Sequence, residues 1–373
     1  MSQMPSHHDV TELKNILINL LDKDFGDDLH RQNVDKNNAS HQANNLDLLY
    51  RCLAAIENLH QINTKRADWK LITSFLEDMG KAIKVFQPYE KIRKVSVFGS
   101  ARLHPDSGEY AAAKQFAQRM SAAGFMVITG AGGGIMAAAN EGATAEHSFG
   151  LNISLPFEQS ANEFIDDTER LIDFRYFFAR KLFFVKESDA IALFPGGFGT
   201  QDEFFECLTL CQTGRTTPCP LVLIDTPEGN YWRQWDAYMQ SQLRDNHLIS
   251  AHDHSLYTVT SDIDLACQTI ISFYQVYHSS RWVGDTLVLR LTQEISDSHL
   301  LRLNQQFSDI LTKGEITRSA PLSKEINEPD IYHLPRLIMH FDRHNFGRFQ
   351  EFIFALNDTC DSGNPVLCQP EYR

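Results

Sequence analysis

The stretch FPGGFGTQDEFF, residues 194–205, combines residue types that can bind an anion and carry out acid–base chemistry. Its glycines, Gly196, Gly197 and Gly199, let backbone N–H groups approach a ligand closely, and such groups at the start of a helix bind phosphate. Thr200 adds a hydroxyl, and Glu203 adds a carboxylate three residues later. The Thr-x-x-Glu spacing is also that of a capping box, in which Glu203 would only satisfy a backbone N–H. Because a cap needs Thr200 alone, the three glycines favour a phosphate-binding loop with an acid beside it.

Cationic residues precede this loop in the segment DFRYFFARKLFFVK, residues 173–186. Arg175, Arg180 and Lys181 lie there among aromatic side chains on a predicted helix. Cations on such a helix can form an ordinary solvated face. Their position shortly before the glycine loop favours contact with an anionic ligand instead.

Two further glycine-rich turns follow predicted strands, VFGSAR at 97–102 and ITGAGGGIMAAANEGA at 128–143. In an open parallel sheet, ligands bind beyond the carboxyl ends of the strands, where such turns meet. The second turn lacks the last glycine of the dinucleotide fingerprint G-x-G-x-x-G, since Ile135 takes its place. The chain also lacks the phosphate-loop signature of triphosphatases and the G-x-S-x-G elbow of hydrolases. The glycine-rich turns without these motifs predict a site for a ligand the size of a mononucleotide.

The elements that must position these turns are short apolar strands alternating with helices. Continuous rather than alternating hydrophobicity indicates strands that are covered on both faces, and therefore a doubly wound parallel sheet of the α/β class. The predicted strands are 95–100, 125–130, 149–156, 189–195, 220–225 and 255–260, and the predicted helices 109–124 and 262–274 lie between or after them.

Both ends of the chain have a different pattern. Apolar residues at helical spacing near 13–21, 49–56 and 72–79, with a polar segment at 27–45, predict a helical N-terminal extension. Beyond about residue 280, strands at 285–291 and 334–341 and helices at 298–314 and 345–358 predict a small α+β appendage. The predicted domains are therefore residues 1–88, 89–280 and 281–373.

Composition restricts the class of partner. The chain has 48 acidic and 34 basic residues, a net charge of -14, which argues against a nucleic-acid-binding or DNA-processing protein but permits a small anionic ligand. No apolar run reaches the roughly 20 residues that span a bilayer, and the first residues do not read as a secretory signal. Seven cysteines without regular spacing predict reduced thiols in a cytoplasmic protein. Cys207 and Cys211, spaced i, i+4 on an apolar helix, favour core packing over metal binding, and neither a metal nor a cofactor is expected.

The motifs FFARK and PGGFGTQDE together resemble the R-K … P-G-G-x-G-T-x-x-E signature of the Lonely Guy family, phosphoribohydrolases that activate cytokinins and whose bacterial relatives cleave nucleoside 5′-monophosphates. VFGSAR, TGAGGGIMAAANEGA and GLNISLPFEQ are similar to other blocks of that family, so the resemblance covers about residues 92–280. Proteins of this kind are often labelled lysine decarboxylases. A pyridoxal-phosphate decarboxylase would need a Schiff-base lysine, usually after a histidine, and no His-Lys dipeptide occurs.

The resemblance implies a role for individual residues of this chain. Arg180 and Glu203 would carry catalysis, and Lys181 or Arg175 would add charge at the phosphate. The remaining implied contacts are with the nucleotide and its 5′-phosphate: Gly99, Ser100, Gly132, Gly133, Gly134, Gly196, Gly197, Gly199 and Thr200. In the first turn of a helix, Glu203 is expected to be held in its ionised form by the helix dipole and to act as a base.

The resemblance also implies the activity and the assembly. Phe177, Phe178 and Ala179 stand where short plant-type members read Met-His-Glu, and the chain is longer at both ends, which favours a bacterial nucleotide-cleaving relative. The expected reaction is hydrolysis of a nucleoside 5′-monophosphate to free base and ribose 5-phosphate by a homodimer or higher homo-oligomer. The alternative is a sensor that binds the same nucleotide without turnover.

Overall fold

The computed structural model describes residues 45–153, 160–325 and 328–358. The chain divides into two compact units, Met1–Leu76 and Glu77–Arg373. The described part of the first unit is helical, as predicted. The helix predicted near 13–21 and almost all of the polar segment 27–45 lie outside the described residues.

The described helices and strands are assigned as follows. The helices are α1 Leu46–Gln61, α2 Arg66–Phe86, α3 Gly108–Ala122, α4 Ile135–Ala143, α5 Phe177–Lys186, α6 Phe198–Gln212, α7 Tyr231–Tyr238, α8 Ile263–Phe273, α9 Asp297–Gln306 and α10 Phe346–Asn357. The strands are β1 Lys94–Phe98, β2 Met126–Thr129, β3 Ser148–Ile153, β4 Leu171–Phe174, β5 Ala190–Leu193, β6 Leu221–Ile224, β7 Tyr257–Thr260, β8 Tyr277–Val283, β9 Thr286–Leu291, β10 Leu311–Ser319 and β11 Arg336–Phe341.

The larger sheet has seven parallel strands in the order β4-β3-β2-β1-β5-β6-β7. Every residue of β1, β2, β5 and β6 is buried, because helices cover both faces of the sheet. The predicted doubly wound α/β fold is therefore confirmed. The strand order reverses between β1 and β5, and at such a reversal the turns beyond the strand ends separate and leave a crevice.

The smaller sheet is antiparallel, with the order β10-β11-β9-β8, and α9 and α10 share its apolar core. In the connection between β10 and β11, Glu325 is fully buried, and its carboxylate accepts hydrogen bonds from Arg290 on β9 and Arg336 on β11. This α+β unit was predicted, although the domain boundaries given above stay a prediction.

The helix predicted over residues 298–314 is wrong in its second half. Helix α9 ends at Gln306, and residues 311–319 form strand β10. β4 and β8 were also missed, and all three missed strands are edge strands. Edge strands are paired on one side only and carry polar residues, so they lack the continuous apolar run by which the central strands were recognised.

Candidate active site

A cleft of about 740 Å³ opens at the point where the strand order reverses. Its walls come from the turns after β1, β2, β3 and β5 and from helices α5 and α6. Nine of the residues predicted for the site line it: Gly99, Ser100, Gly132, Arg180, Gly196, Gly197, Gly199, Thr200 and Glu203. Three do not, namely Gly133, Gly134 and Lys181.

The turn after β5 leads directly into helix α6, which begins at Phe198 with Gly197 as its N-cap. The capping-box interpretation of Thr200 and Glu203 is therefore wrong, because Thr200 is already the third residue of the helix. Glu203 is the sixth residue and lies in the second turn. No side chain caps this helix, so its first N–H groups need another acceptor.

The first turn of α6 is open to the cleft. Among the described residues, no group accepts a hydrogen bond from the backbone N–H of Phe198, Gly199 or Thr200. A Cβ atom built on Gly197 or Gly199 would meet no atom within 4 Å, so packing does not explain these two glycines. Gly196 differs, because its Cβ would lie 2.1 Å from the hydroxyl oxygen of Thr200.

The second glycine-rich turn, between β2 and α4, is packed against the turn after β1. The backbone N–H of Ile135, the first residue of α4, donates to the carbonyl of Ser100 at 3.0 Å. Gly134 has φ +57°, and its Cβ would lie 2.2 Å from that same carbonyl oxygen. Gly133 and Gly134 therefore pack this turn against the turn after β1, and the first N–H of α4 is already bonded within the protein.

Glu203 is the acid of the cleft. Its carboxylate lies 4.0 Å from Nη2 of Arg180 and 3.8 Å from Nζ of Lys181, too far for hydrogen bonds. Burial raises the pKa of Glu203 to about 7, and the positive charges of Lys181 and Arg180 lower it by less. The expectation that Glu203 lies in the first turn of the helix is wrong, and desolvation outweighs the nearby charges in setting its pKa.

Arg180 approaches the same space from helix α5. Its guanidinium lies over the rings of Phe177 and Phe184, at 5.1 Å and 5.7 Å from their centroids. Its Nε is buried and has no hydrogen-bond partner among the described residues. Burial lowers the pKa of Arg180, but a guanidinium stays charged at neutral pH. The charged guanidinium of Arg180 thus faces the cleft and can donate hydrogen bonds to a ligand.

The other two predicted cations are held by acids elsewhere. Nζ of Lys181 contacts Asp202 at 2.8 Å and Glu206 at 2.7 Å. Burial opposes the charge of Lys181, but these contacts outweigh it and raise its pKa. Arg175 forms ion pairs with Asp78 and with Glu77, at 2.9 Å and 2.6 Å, and does not line the cleft. Neither is placed to bind a phosphate in this arrangement.

Sequence reasoning missed five polar residues that line the cleft, namely Arg102, Asn152, Ser160, Gln201 and Tyr231. Arg102 ends the VFGSAR block, and its exposed guanidinium makes no ion pair with any described residue. The hydroxyl of Tyr231 donates to the carbonyl of Gly196 at 2.7 Å and accepts from the amide of Gln201 at 2.6 Å, which supports the loop. Arg102, Asn152 and Gln201 lay in blocks that the sequence had singled out, VFGSAR, GLNISLPFEQ and FPGGFGTQDEFF.

A family model described as "Possible lysine decarboxylase" matches residues 136–270, which include helices α4 to α7 and strands β3 to β7. The match covers Arg180, Glu203 and the turn between them, the residues on which the resemblance was based.

Residues 136–270 are therefore similar to the Lonely Guy family, to which that description is applied.

Solved structures with a similar arrangement cover less than half of this chain. The molybdenum cofactor carrier protein of Chlamydomonas reinhardtii is 19% identical, with a TM-score of 0.35, over 48% of this chain and 96% of its own. The molybdenum cofactor binding protein of Rippkaea orientalis is 19% identical, with a TM-score of 0.34, over 48% and 95%. DNA processing protein A of Helicobacter pylori is 14% identical, with a TM-score of 0.34, over 48% and 80%. A comparison with curated proteins gave no match.

Metal sites, reactive cysteines and membrane-spanning helices were also considered for the described residues. Within residues 45–153, 160–325 and 328–358, no group of three or more His, Cys, Asp or Glu side chains is arranged to hold a metal ion. Cys207, Cys211 and Cys219 are buried in the core, as predicted for the first two from their helical spacing. No helix in the described part of the chain is long and apolar enough to cross a bilayer.

Proposed function

We propose that this protein hydrolyses the N-glycosidic bond of nucleoside 5′-monophosphates and releases free base and ribose 5-phosphate. The observation that carries the proposal is one cleft holding an open helix N-terminus and, one turn further along the same helix, a buried acid. An anion bound at the first turn of α6 and a reacting carbon beside Glu203 would belong to the same small ligand.

The phosphate would bind at the first turn of α6. The N–H groups of Phe198, Gly199 and Thr200 have no acceptor in the described structure, and the helix dipole favours an anion there. The missing side chains of Gly197 and Gly199 leave the volume that phosphate oxygens need. We assign Arg102 rather than Lys181 as the cation that binds the phosphate, because Lys181 already lies within 4 Å of three carboxylates.

The reacting carbon would lie beside Glu203. Thr200 and Glu203 are three residues apart and so share one face of α6, with a rise of roughly 4.5 Å between them. A ribose whose phosphate is held at the helix start thus extends along α6 toward the carboxylate. Anchoring the phosphate, which does not react, allows its binding energy to position the sugar.

Hydrolysis would proceed with charge separation. The bond between C1′ and the base nitrogen breaks, its electron pair stays with the base, and positive charge spreads over C1′ and the ring oxygen. The ionised carboxylate of Glu203 stabilises this charge and takes a proton from the water that attacks C1′. Arg180, held 4.0 Å from Glu203, is assigned to the departing base, whose negative charge it would balance until the base nitrogen takes up the proton that Glu203 received from the water.

The lysine decarboxylase description implies a pyridoxal-phosphate cofactor, which these residues do not fit. No lysine lines the cleft in the described structure, and Lys181, the nearest, has its ammonium group bound by acids. A Schiff base requires an uncharged lysine amine, whereas the pKa of Lys181 is raised. We derive no step through that cofactor.

Self-association remains part of the proposal. Helix α5 carries Arg180 toward the cleft. On the same helix, the exposed fractions of Phe177, Phe178 and Leu182 are 51%, 47% and 42%. Three large apolar side chains on adjacent turns form a patch of the kind that binds another protein surface. Sedimentation of the purified protein tests the expected homo-oligomer, and a monomer at all concentrations would contradict it.

The reaction itself is tested by incubating the protein with AMP, GMP, IMP, CMP and UMP and measuring free base and ribose 5-phosphate. Adenosine, which lacks the phosphate, is the control and should be turned over far more slowly. Saturable nucleotide binding without release of any base would refute hydrolysis and support the nucleotide sensor.

A further inference from the structure

The cleft extends well beyond the place assigned to the phosphate and the ribose. It runs from the turn after β5, across β1 and β2, to the end of β3. Neighbouring strands lie about 4.8 Å apart, so these three intervals span roughly 14 Å. If the phosphate lies beside β5 and C1′ beside Glu203, then the base occupies the part over β2 and β3. This step rests on the proposed function.

The base end of the cleft has a tight floor. The side chain of Met136 lies so close to the preceding turn that a Cβ on Gly130 would be 2.8 Å from its sulfur, and one on Gly132 would be 2.6 Å from its methyl carbon. Asn162 fixes the same turn, because its Nδ2 donates to the carbonyl of Gly132 at 3.0 Å. A thioether on a fixed turn offers a polarizable apolar surface to a flat aromatic ring.

Asn152, the fifth residue of β3, supplies a polar group with a fixed orientation at this end. Its Nδ2 donates to Oδ1 of Asp173 on β4 at 2.8 Å, and the two residues are paired in the sheet register. A carboxylate can only accept hydrogen bonds, so the amide nitrogen must face Asp173. Asp173 does not line the cleft, whereas Asn152 does, and Oδ1 of Asn152 accepts no hydrogen bond from any described residue.

We infer that Asn152 selects the base by presenting Oδ1 as a hydrogen-bond acceptor to an exocyclic amino group. A base with an amino group at that position donates to Oδ1. A base with an oxo group at that position would place its oxygen, also an acceptor, opposite Oδ1, and neither acceptor would receive a hydrogen bond. The hydroxyl of Ser160, which also lines this end, can donate or accept and therefore does not discriminate. The protein thus prefers nucleotides of amino-substituted bases over their oxo counterparts.

AMP and IMP provide the test, because they carry the same phosphate and ribose and differ on the same edge of the purine. We expect a kcat/KM for AMP roughly tenfold above that for IMP, the value of about one net hydrogen bond. In Asn152→Leu, which has a similar volume and no acceptor, the ratio should fall to about one. In Asp173→Asn the amide of residue 152 loses its obligatory orientation, and the ratio should fall as well.

Asp285→Asn is the matched control for the charge change, since Asp285 is exposed in the turn between β8 and β9 and does not line the cleft. Its AMP to IMP ratio should equal that of the wild type. A wild type that cleaves IMP as fast as AMP, or an Asn152→Leu variant that keeps the preference, would overturn the assignment.

Affinities of AMP and IMP for the Glu203→Gln variant give the same comparison without turnover. If the wild type releases no base from any nucleotide, the proposed hydrolysis is refuted. A tenfold affinity ratio that is lost in the double variant with Asn152→Leu would still support the role of Asn152, and equal affinities would refute it.

Discussion

Replacing Glu203 with glutamine should abolish turnover and, at neutral pH, stabilise the fold. The wild-type carboxyl group is buried, with its side chain 7% exposed, and its oxygens lie 3.8 Å or more from the cations beside it. Such a group is destabilising when ionised, because the nearby charges do not replace the water that it has lost. A residue kept for chemistry rather than for stability would have this property.

The magnitude follows from the pKa. Burial raises the pKa of Glu203 from 4.5 to about 7, and each pH unit corresponds to about 1.4 kcal/mol. Keeping Glu203 ionised in the folded state therefore costs on the order of 3 kcal/mol, an upper value because the buried glutamine amide also lacks a partner. Against a typical free energy of unfolding of roughly 5–15 kcal/mol, this difference is measurable.

Whether the stability of the wild type rises or falls with pH depends on which state, folded or unfolded, binds the Glu203 proton more tightly. Between pH 4.5 and about 7 the unfolded chain has released the Glu203 proton and the folded protein has not, so wild-type stability falls as pH rises through this window. The advantage of Glu203→Gln should be absent below pH 4.5, grow across the window and stay constant above pH 7. Thermal unfolding midpoints of both proteins, measured from pH 4.5 to 8.5, test this course.

Glu228→Gln, a change of the same chemistry at an exposed position, should leave the midpoint near the wild-type value throughout. The reasoning is refuted if Glu203→Gln is less stable than the wild type at pH 8, or if its advantage does not depend on pH. Turnover gives a second readout, since base release by the wild type should rise with pH and reach half its maximum near pH 7. A rate that falls over that range would assign Glu203 the part of an acid.

Four further changes probe the rest of the cleft. Arg102→Gln should raise KM for AMP roughly tenfold with little change in kcat, the effect expected for one charged hydrogen bond to the phosphate; steady-state kinetics would contradict this if kcat alone fell. Gly199→Ala should weaken AMP binding in calorimetry while keeping or slightly raising the thermal midpoint, since alanine favours the helix and meets open space. Gly196→Ala should instead lower that midpoint through its clash with a threonine. Lys181→Met removes a positive charge that lowers the pKa of Glu203, so the pH–rate profile should move to higher pH; an unmoved profile would show that Lys181 does not act on the acid.

The central strands of the large sheet were predictable because burial on both faces demands continuous apolar residues. LVLI at 221–224 and MVIT at 126–129 are buried throughout, and no other environment suits such runs as well. The edge strands β4, β8 and β10 were not predictable in the same way. The nine residues of β10, LTKGEITRS, bury only Ile316, so its pairing with β11 depends on a neighbour that lies far away in the sequence.

The sequence by itself determined that Arg180, Glu203 and the glycine turn between them meet in the cleft. Glycine turns at the carboxyl ends of parallel strands must converge, and Arg180 and Glu203 flank one of those strands on either side. Only the tertiary structure decided how these residues are used. It bonds the first N–H of α4 to the carbonyl of Ser100 and leaves the first three N–H groups of α6 without an acceptor among the described residues. It also pairs Lys181 with acids, while Arg102 forms no ion pair with any described residue. Accessibility, charge pairing and desolvation depend on atoms brought together from distant parts of the chain, and these three quantities separate a binding residue from one that only supports the fold.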